Sequence, residues 1–180
     1  MERDLTDLDR YVCRFVRIVE KYTDYVIVSG YISILLGLPR PTFDVDVLAK
    51  PMSREDFEKM LDELRANGFV TIEDKEKAFI LFSQGHTISI HTPDVWYFDF
   101  KQPKDRWGYV SISSPLIARI GECEIRIAPP EVQIPYKLWL GSDKDIKDAV
   151  YIYERLKEII DEERLREYAE AMGVDLGVLR

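Results

Sequence analysis

Residues 26–47, VIVSGYISILLGLPRPTFDVDV, constrain this chain more than any other stretch. The β-branched run ending at Val28 reads as a strand and Ser29-Gly30 as a turn. Leu35, Leu36 and Leu38 mark a short apolar helix, and Phe43 to Ala49 a second strand. Side chains alternate along a strand, so Asp44 and Asp46 leave the same face and can grip one divalent cation together. Gly30 lets the backbone approach a phosphate closely where the following helix starts. A glycine turn beside two carboxylates is the material of a nucleotide and magnesium site.

The rest of the chain supplies a scaffold for that unit. Leu5, Leu8, Val12, Phe15, Val16 and Val19 recur at helical spacing, predicting an amphipathic helix that reaches about Tyr22. Ser53 with Asp56 resembles a capping box, and Phe57, Met60, Leu61 and Leu64 form the apolar face of a helix stopped by Asn67-Gly68. From Phe69 to Ile127 the period changes to two. Short β-rich runs stand at Phe69–Ile72, Ala78–Ser83, Thr87–His91, Val95–Lys101 and Tyr109–Ile112. A hairpin then turns near Gly121 between Ile117–Ile120 and Cys123–Ile127. After Pro129-Pro130 the pattern returns to helix over Val132–Leu140, Asp143–Ile160 and Glu162–Met172. The expectation is an α+β fold: a mixed β-sheet with helices packed mainly on one side, followed by C-terminal helices.

Composition narrows the function classes. A net charge of −8 over 180 residues argues against an extended basic footprint for duplex DNA, although a local basic groove remains compatible with it. The longest nearly uncharged run, Tyr25 to Pro39, is too short to cross a bilayer, and Met1 to Arg10 is charged rather than signal-like, which reads as a cytoplasmic protein without a membrane partner. Cys13 and Cys123 form no CxxC and no zinc spacing, so reduced, buried thiols are expected. One Asn and three Gln among 32% charged residues resemble the bias of proteins from thermophiles. His86 and His91 lack metal spacing and read as structural, and the aromatic residues of the β-rich region read mainly as core.

A two-acid site is incomplete, and the clearest third carboxylate is Asp99. In VWYFDFK, Val95, Tyr97 and Asp99 share one face while Trp96, Phe98 and Phe100 share the other. An acid among such neighbours needs a partner, unless the strand is an edge and the face is solvent. Ser29-Gly30, Asp44-Val45-Asp46 and Asp99, in that order, resemble the nucleotidyltransferase superfamily with the DNA polymerase β type of catalytic fold. More narrowly, Arg40, Thr42, Asp44 and Asp46 in R-x-T-x-D-x-D resemble the AbiEii-like and minimal nucleotidyltransferase group. The later segment PPEVQIPYKLWLGSDKDIKDA strengthens that likeness with Lys137 and a K-D-x-x-D element of Lys144, Asp145 and Asp148. The likeness spans about Tyr25 to Leu156 and departs where Ser29 replaces the usual glycine and bulky Tyr31 follows, which is expected to narrow the cleft.

The resemblance implies residues 1–128 as catalytic domain and 129–180 as a helical segment completing the cleft. It further implies transfer of a nucleoside monophosphate from a nucleoside triphosphate to a hydroxyl acceptor. Asp44 and Asp46 would hold Mg2+ or Mn2+, and Asp99 would complete the metal site and help deprotonate the acceptor. Ser29, Gly30, Arg40, Thr42 and Lys137 would bind the triphosphate. Lys144 and Asp145 fit either the nucleotide site or a helix-start cap. The acceptor stays open among a small molecule, a protein and an RNA 3′ end. So do a homo-oligomer, a toxin–antitoxin partner, a catalytically weak antitoxin-like module of the same fold, and a plain interaction protein whose acids are coincidental.

Overall fold

A computed structural model describes residues 4–179; the extreme ends of the two expected units, residues 1–3 and Arg180, lie outside the described residues. Helix α1 (Asp7–Val19) opens on a capping box in which the Thr6 side chain accepts from the Asp9 amide and Asp9 accepts from the Thr6 amide. The unit singled out above forms β1 (Tyr25–Val28), α2 (Gly30–Leu35) and β2 (Asp44–Ala49). Helix α3 (Arg54–Ala66) is capped by Ser53 and ends at Asn67. Then come β3 (Val70–Thr71), α4 (Lys75–Ser83), β4 (Ile88–His91), β5 (Tyr97–Lys101), α5 (Arg106–Ser113), β6 (Leu116–Ile120) and β7 (Cys123–Ile127). Helices α6 (Pro130–Leu140), α7 (Asp143–Leu156) and α8 (Glu162–Met172) close the chain, before a 3-10 turn at Gly177–Leu179.

The seven strands make one mixed sheet in the order β3-β4-β5-β2-β1-β7-β6. Strand β2 lies antiparallel to β1 and parallel to β5, and β7 runs parallel to β1. One face is the core. Val45, Val47, Phe98 and Phe100 are fully buried there. Phe15 of α1 stacks on Phe98 with ring centroids 3.9 Å apart, and Phe82 of α4 stacks on Phe100 at 5.2 Å. The alternate residues of the same strands, Asp44, Asp46, Asp99 and Lys101, face the other way and are only partly covered. The expected mixed sheet with one heavily packed side is therefore present, and no helix among the described residues is long and apolar enough to cross a membrane.

Three expectations are corrected. Ala78–Ser83 belongs to helix α4: Asp74 accepts from the Lys77 amide as its N-cap, and the buried residues Ala78 and Phe82 are four apart. Tyr109–Ile112 belongs to α5, where Asp105 accepts from the Gly108 amide at 2.9 Å and Gly108, Ser111 and Ile112 form the buried stripe. Short apolar runs carry no distinctive period, and in both segments the aspartate cap decides for helix. Cys13 and Cys123 are joined in a disulfide, with Cα atoms 6.0 Å apart. Their 110-residue separation along the chain hid that α1 lays Cys13 against the start of β7.

Candidate active site

Register brings the acids together. Parallel pairing of β2 and β5 sets Asp46 beside Asp99 and Asp44 beside Tyr97, while antiparallel pairing sets Val28, the last residue of β1, beside Asp46. All three carboxylates reach the Tyr97 phenol: burial first, then the charges of Asp44, Asp99 and Asp46, push it above its ordinary value. Each acid also has a dedicated neighbour. The Thr42 hydroxyl donates to Asp44 Oδ1 at 2.8 Å, Ser89 Oγ donates to Asp99 Oδ1 at 2.8 Å, and Lys101 Nζ donates to Asp46 Oδ1 at 2.6 Å. Thr42 thus orients the Asp44 carboxylate.

Three carboxylates offer hard oxygen donors of the kind that suit Mg2+ or Mn2+. The Lys101 ammonium on Asp46 is a protein-supplied cation beside these acids, and carboxylate oxygen is the donor chemistry such an ion takes. Among the described residues, however, no group of three or more His, Cys, Asp or Glu stands in a metal-holding arrangement. Asp44 and Asp46 are the part of the set that strand alternation itself brings to one face. Asp99 is held toward Ser89.

The turn after β1 is tightly specified. Ser29 has φ 65°, a left-handed value rare for a residue with a side chain, and its hydroxyl makes no capping bond to α2. Its backbone is held by Gln133 of α6: the Ser29 amide donates to Gln133 Oε1 at 3.2 Å, and Gln133 Nε2 donates to the Ser29 carbonyl at 3.4 Å. Gly30 leaves room for Arg40: an added Cβ would stand 2.5 Å from the guanidinium and would push it from its place. Tyr31 does not narrow the cleft as expected. It is buried toward α1, where its hydroxyl donates to Asp9 Oδ1 at 2.7 Å.

The basic residues expected at the triphosphate divide. Arg40 lies over the glycine turn and donates to Asp148 Oδ2 at 3.0 Å. Lys137, with only 2% of its side chain exposed, donates to Asp145 at 2.7 Å and to Asp148 at 2.9 Å. Asp148, the last acid of the K-D-x-x-D element, is the centre of this cluster. Asp145 belongs to both the helix start and the ion cluster: its amide donates to Oγ of Ser142, the N-cap of α7, and its carboxylate accepts from Lys137. Burial pushes the Asp145 carboxyl up, but hydrogen bonds from Lys137 and Ser142 and the charges of Lys137 and Lys144 outweigh it and leave it below its ordinary value. Lys144 itself is exposed. Arg40 Nε and Asp148 Oδ1 are buried without a hydrogen-bond partner among the described residues.

A cavity of about 380 Å³ opens beside Asp46, between the sheet and helices α5 and α6; Ser29, Lys101, Gln133, Tyr136 and Trp107 also line it. Burial and then the charges of Asp105 and Asp46, against Lys101, raise the Tyr136 phenol. Gln133 and Lys101 were not assigned to the site from sequence. Lys101 stands two residues after Asp99 on the same strand face, and its positive charge suits a local basic groove.

Solved structures share this architecture. An antigenic nucleotidyltransferase-like protein from Paracoccidioides brasiliensis matches with TM-score 0.55 and 15% identity over 90% of this chain and 84% of that chain. The antibiotic-resistance factor ANT(2″)-Ia matches in its solution structure with TM-score 0.55 and 14% identity over 92% of each chain. Its crystal structure, in complex with adenylyl-2″-tobramycin, matches with TM-score 0.58 and 14% identity over 93% of this chain and 98% of that chain.

The fold is that of the nucleotidyltransferases. No protein-family model matches the chain, and no curated protein matches it. The narrower AbiEii-like likeness finds no counterpart in the structural matches described.

Proposed function

We propose that this nucleotidyltransferase-fold chain transfers a nucleoside monophosphate from a nucleoside triphosphate to a hydroxyl acceptor, releasing pyrophosphate. The observation that carries this reading is the β2–β5 register, which sets Asp99 beside Asp46 on the face that also bears Asp44. Asp44 and Asp46 would hold Mg2+ or Mn2+, with Asp99 beside Asp46 in the sheet register. When bound, that ion neutralises triphosphate charge and stabilises the leaving group. Asp99 accepts the proton of the acceptor hydroxyl. Thr42 fixes the Asp44 rotamer, and Arg40 presents its guanidinium over the Ser29-Gly30 turn, where the triphosphate binds. Lys137 acts at a distance: by tying α6 to α7 it seats Gln133 on Ser29. Residues 1–128 thus carry the chemistry, and 129–179 supply the wall that completes the cleft.

The acceptor class favoured here is a small hydroxylated molecule. The cavity beside Asp46 has the size of a small-ligand site, and the net charge of −8 disfavours a long RNA. The structurally similar ANT(2″)-Ia has been seen with adenylyl-2″-tobramycin, an adenylylated small molecule. The Lys101–Asp46 pair favours a second reading, a regulatory nucleotide-binding module of the same fold with weak or no turnover, acting beside a toxin–antitoxin partner.

Thermal melting with each nucleoside triphosphate, with and without Mg2+ or Mn2+, tests both readings against the Asp44→Asn/Asp46→Asn variant. Metal-dependent stabilisation of the native chain alone is the expected result. Labelled-nucleotide transfer to candidate acceptors then separates enzyme from module. No shift at millimolar ligand would sink both.

A further inference from the structure

Two kinds of cation touch the acids of this molecule. Lys137 has 2% of its side chain exposed, and Arg40, at 16%, meets an Asp148 that is only 1% exposed, whereas Lys101 has 28% of its side chain exposed and Asp46 has 20%, at the lip of the cavity. Lys101 extends from β5 on the same face as Asp99 and is paired in register with Leu48, two residues beyond Asp46. It therefore reaches back along the sheet to Asp46 Oδ1 at 2.6 Å, and both residues line the cavity.

We propose that Lys101 is a displaceable counter-ion: its ammonium holds Asp46 while no nucleotide is bound and weakens capture of a bare divalent cation, then transfers to the polyphosphate when metal and nucleotide arrive together. The inference rests on the reading of Asp44 and Asp46 as the metal pair. An ammonium and a divalent cation compete for Asp46 and repel each other, so metal alone must displace a charge-assisted hydrogen bond without offering Lys101 a new partner. A triphosphate offers one. Lysine suits the exchange because its charge sits on a flexible four-carbon stem with three rotatable donors, and the neighbouring cavity leaves room for that stem to swing. The effect is coupling between metal and nucleotide, and such coupling is reciprocal: each ligand tightens the other by the same factor. Lys101 thereby becomes the residue that makes the site selective for the metal–nucleotide complex over either component.

The test is Mn2+ titration of the full chain, read from the electron paramagnetic resonance of free Mn2+, alone and with a non-hydrolysable nucleoside triphosphate analogue. Lys101→Met is expected to bind Mn2+ alone about tenfold more tightly than the native chain and the Mn2+–nucleotide complex about tenfold more weakly, the size of one charged hydrogen bond in each direction. Lys50→Met, which breaks the exposed Lys50–Asp24 pair instead, should change neither. Thermal melting checks that each variant is folded, and Lys101→Gln carries the same expectation should the methionine variant melt too low. Unchanged or weaker binding of Mn2+ alone by both Lys101 variants overturns the proposal. Mn2+ binding that survives Asp44→Asn/Asp46→Asn overturns instead the assignment of the metal pair on which it rests.

Discussion

Two ion clusters flank the glycine turn, and they differ in what surrounds them. Around Asp148, two acids and two cations are locked between α6, α7 and the loop before β2, with Lys137 and Asp148 only 2% and 1% exposed. Around Asp46, one acid and one lysine meet at the edge of a cavity, within the reach of water. Removing one partner from an enclosed cluster strands a charge where nothing can solvate it, while an open pair can lose a partner to water or to a ligand. The first arrangement fixes the position of α6 and through it the Ser29 backbone. The second can be exchanged. Identical side-chain chemistry thus serves as a weld in one place and as a replaceable contact in another, and burial decides which.

Four measurements sharpen or break that contrast. Lys137→Met should lower unfolding free energy by about 3–5 kcal/mol in denaturant titration, because Asp145 and Asp148 lose their shared cation in a buried site; a loss under about 1 kcal/mol would mean the cluster is wet. Gly30→Ala should cost about 1–3 kcal/mol by driving a methyl into the Arg40 guanidinium that Asp148 holds. Combined with Asp148→Asn it should cost less than the sum of the two single changes, since both disturb the same contact. Acid is expected to act on the enclosed cluster next. The folded-state pKa of Asp145 is depressed, so its contribution is fully present above the unfolded carboxylate value near pH ~4 and is lost as pH falls through the lower folded value. A melting curve of native against Asp145→Asn between pH 7 and pH 3 should therefore converge at the acid end. Asp46→Asn should change stability by less than about 1 kcal/mol in urea titration while abolishing the metal-dependent thermal shift.

Local signals reported the acid-bearing face of the sheet well. The bounds of β1, β7 and α8 agree with periodicity and turn chemistry alone, and the alternation that put Asp44 and Asp46 on one face holds in β2. Asp99 was legible as a strand acid among aromatics, although only strand pairing could set it beside Asp46. What failed was either short or distant. The apolar runs inside α4 and α5 are too brief to show a helical period, and their aspartate caps at Asp74 and Asp105 went unused. Gln133 contacts Ser29 across 104 residues, Asp148 contacts Arg40 across 108, and Lys101 contacts Asp46 across 55. The first two depend on how α6 and α7 settle against the sheet and the third on the pairing of β2 with β5, and no pattern within a window of sequence encodes them.

The bond between Cys13 and Cys123 turns the polypeptide into a closed covalent ring with a tail. Ser29, Asp44, Asp46, Asp99 and Lys101 all lie inside the ring, whereas Gln133, Lys137 and Asp148 lie on the tail. A single cut anywhere between the two cysteines leaves both pieces tethered, so a nicked molecule keeps its acids in one covalent unit. A cut after Cys123 releases helices α6 to α8 together with the clamp on Ser29. The ring also limits how far the denatured portion that carries these acids can expand, while the tail has no such restriction. The two halves of the cleft therefore differ in topology as well as in composition, and a protease or a reducing agent reaches each of them with a different consequence.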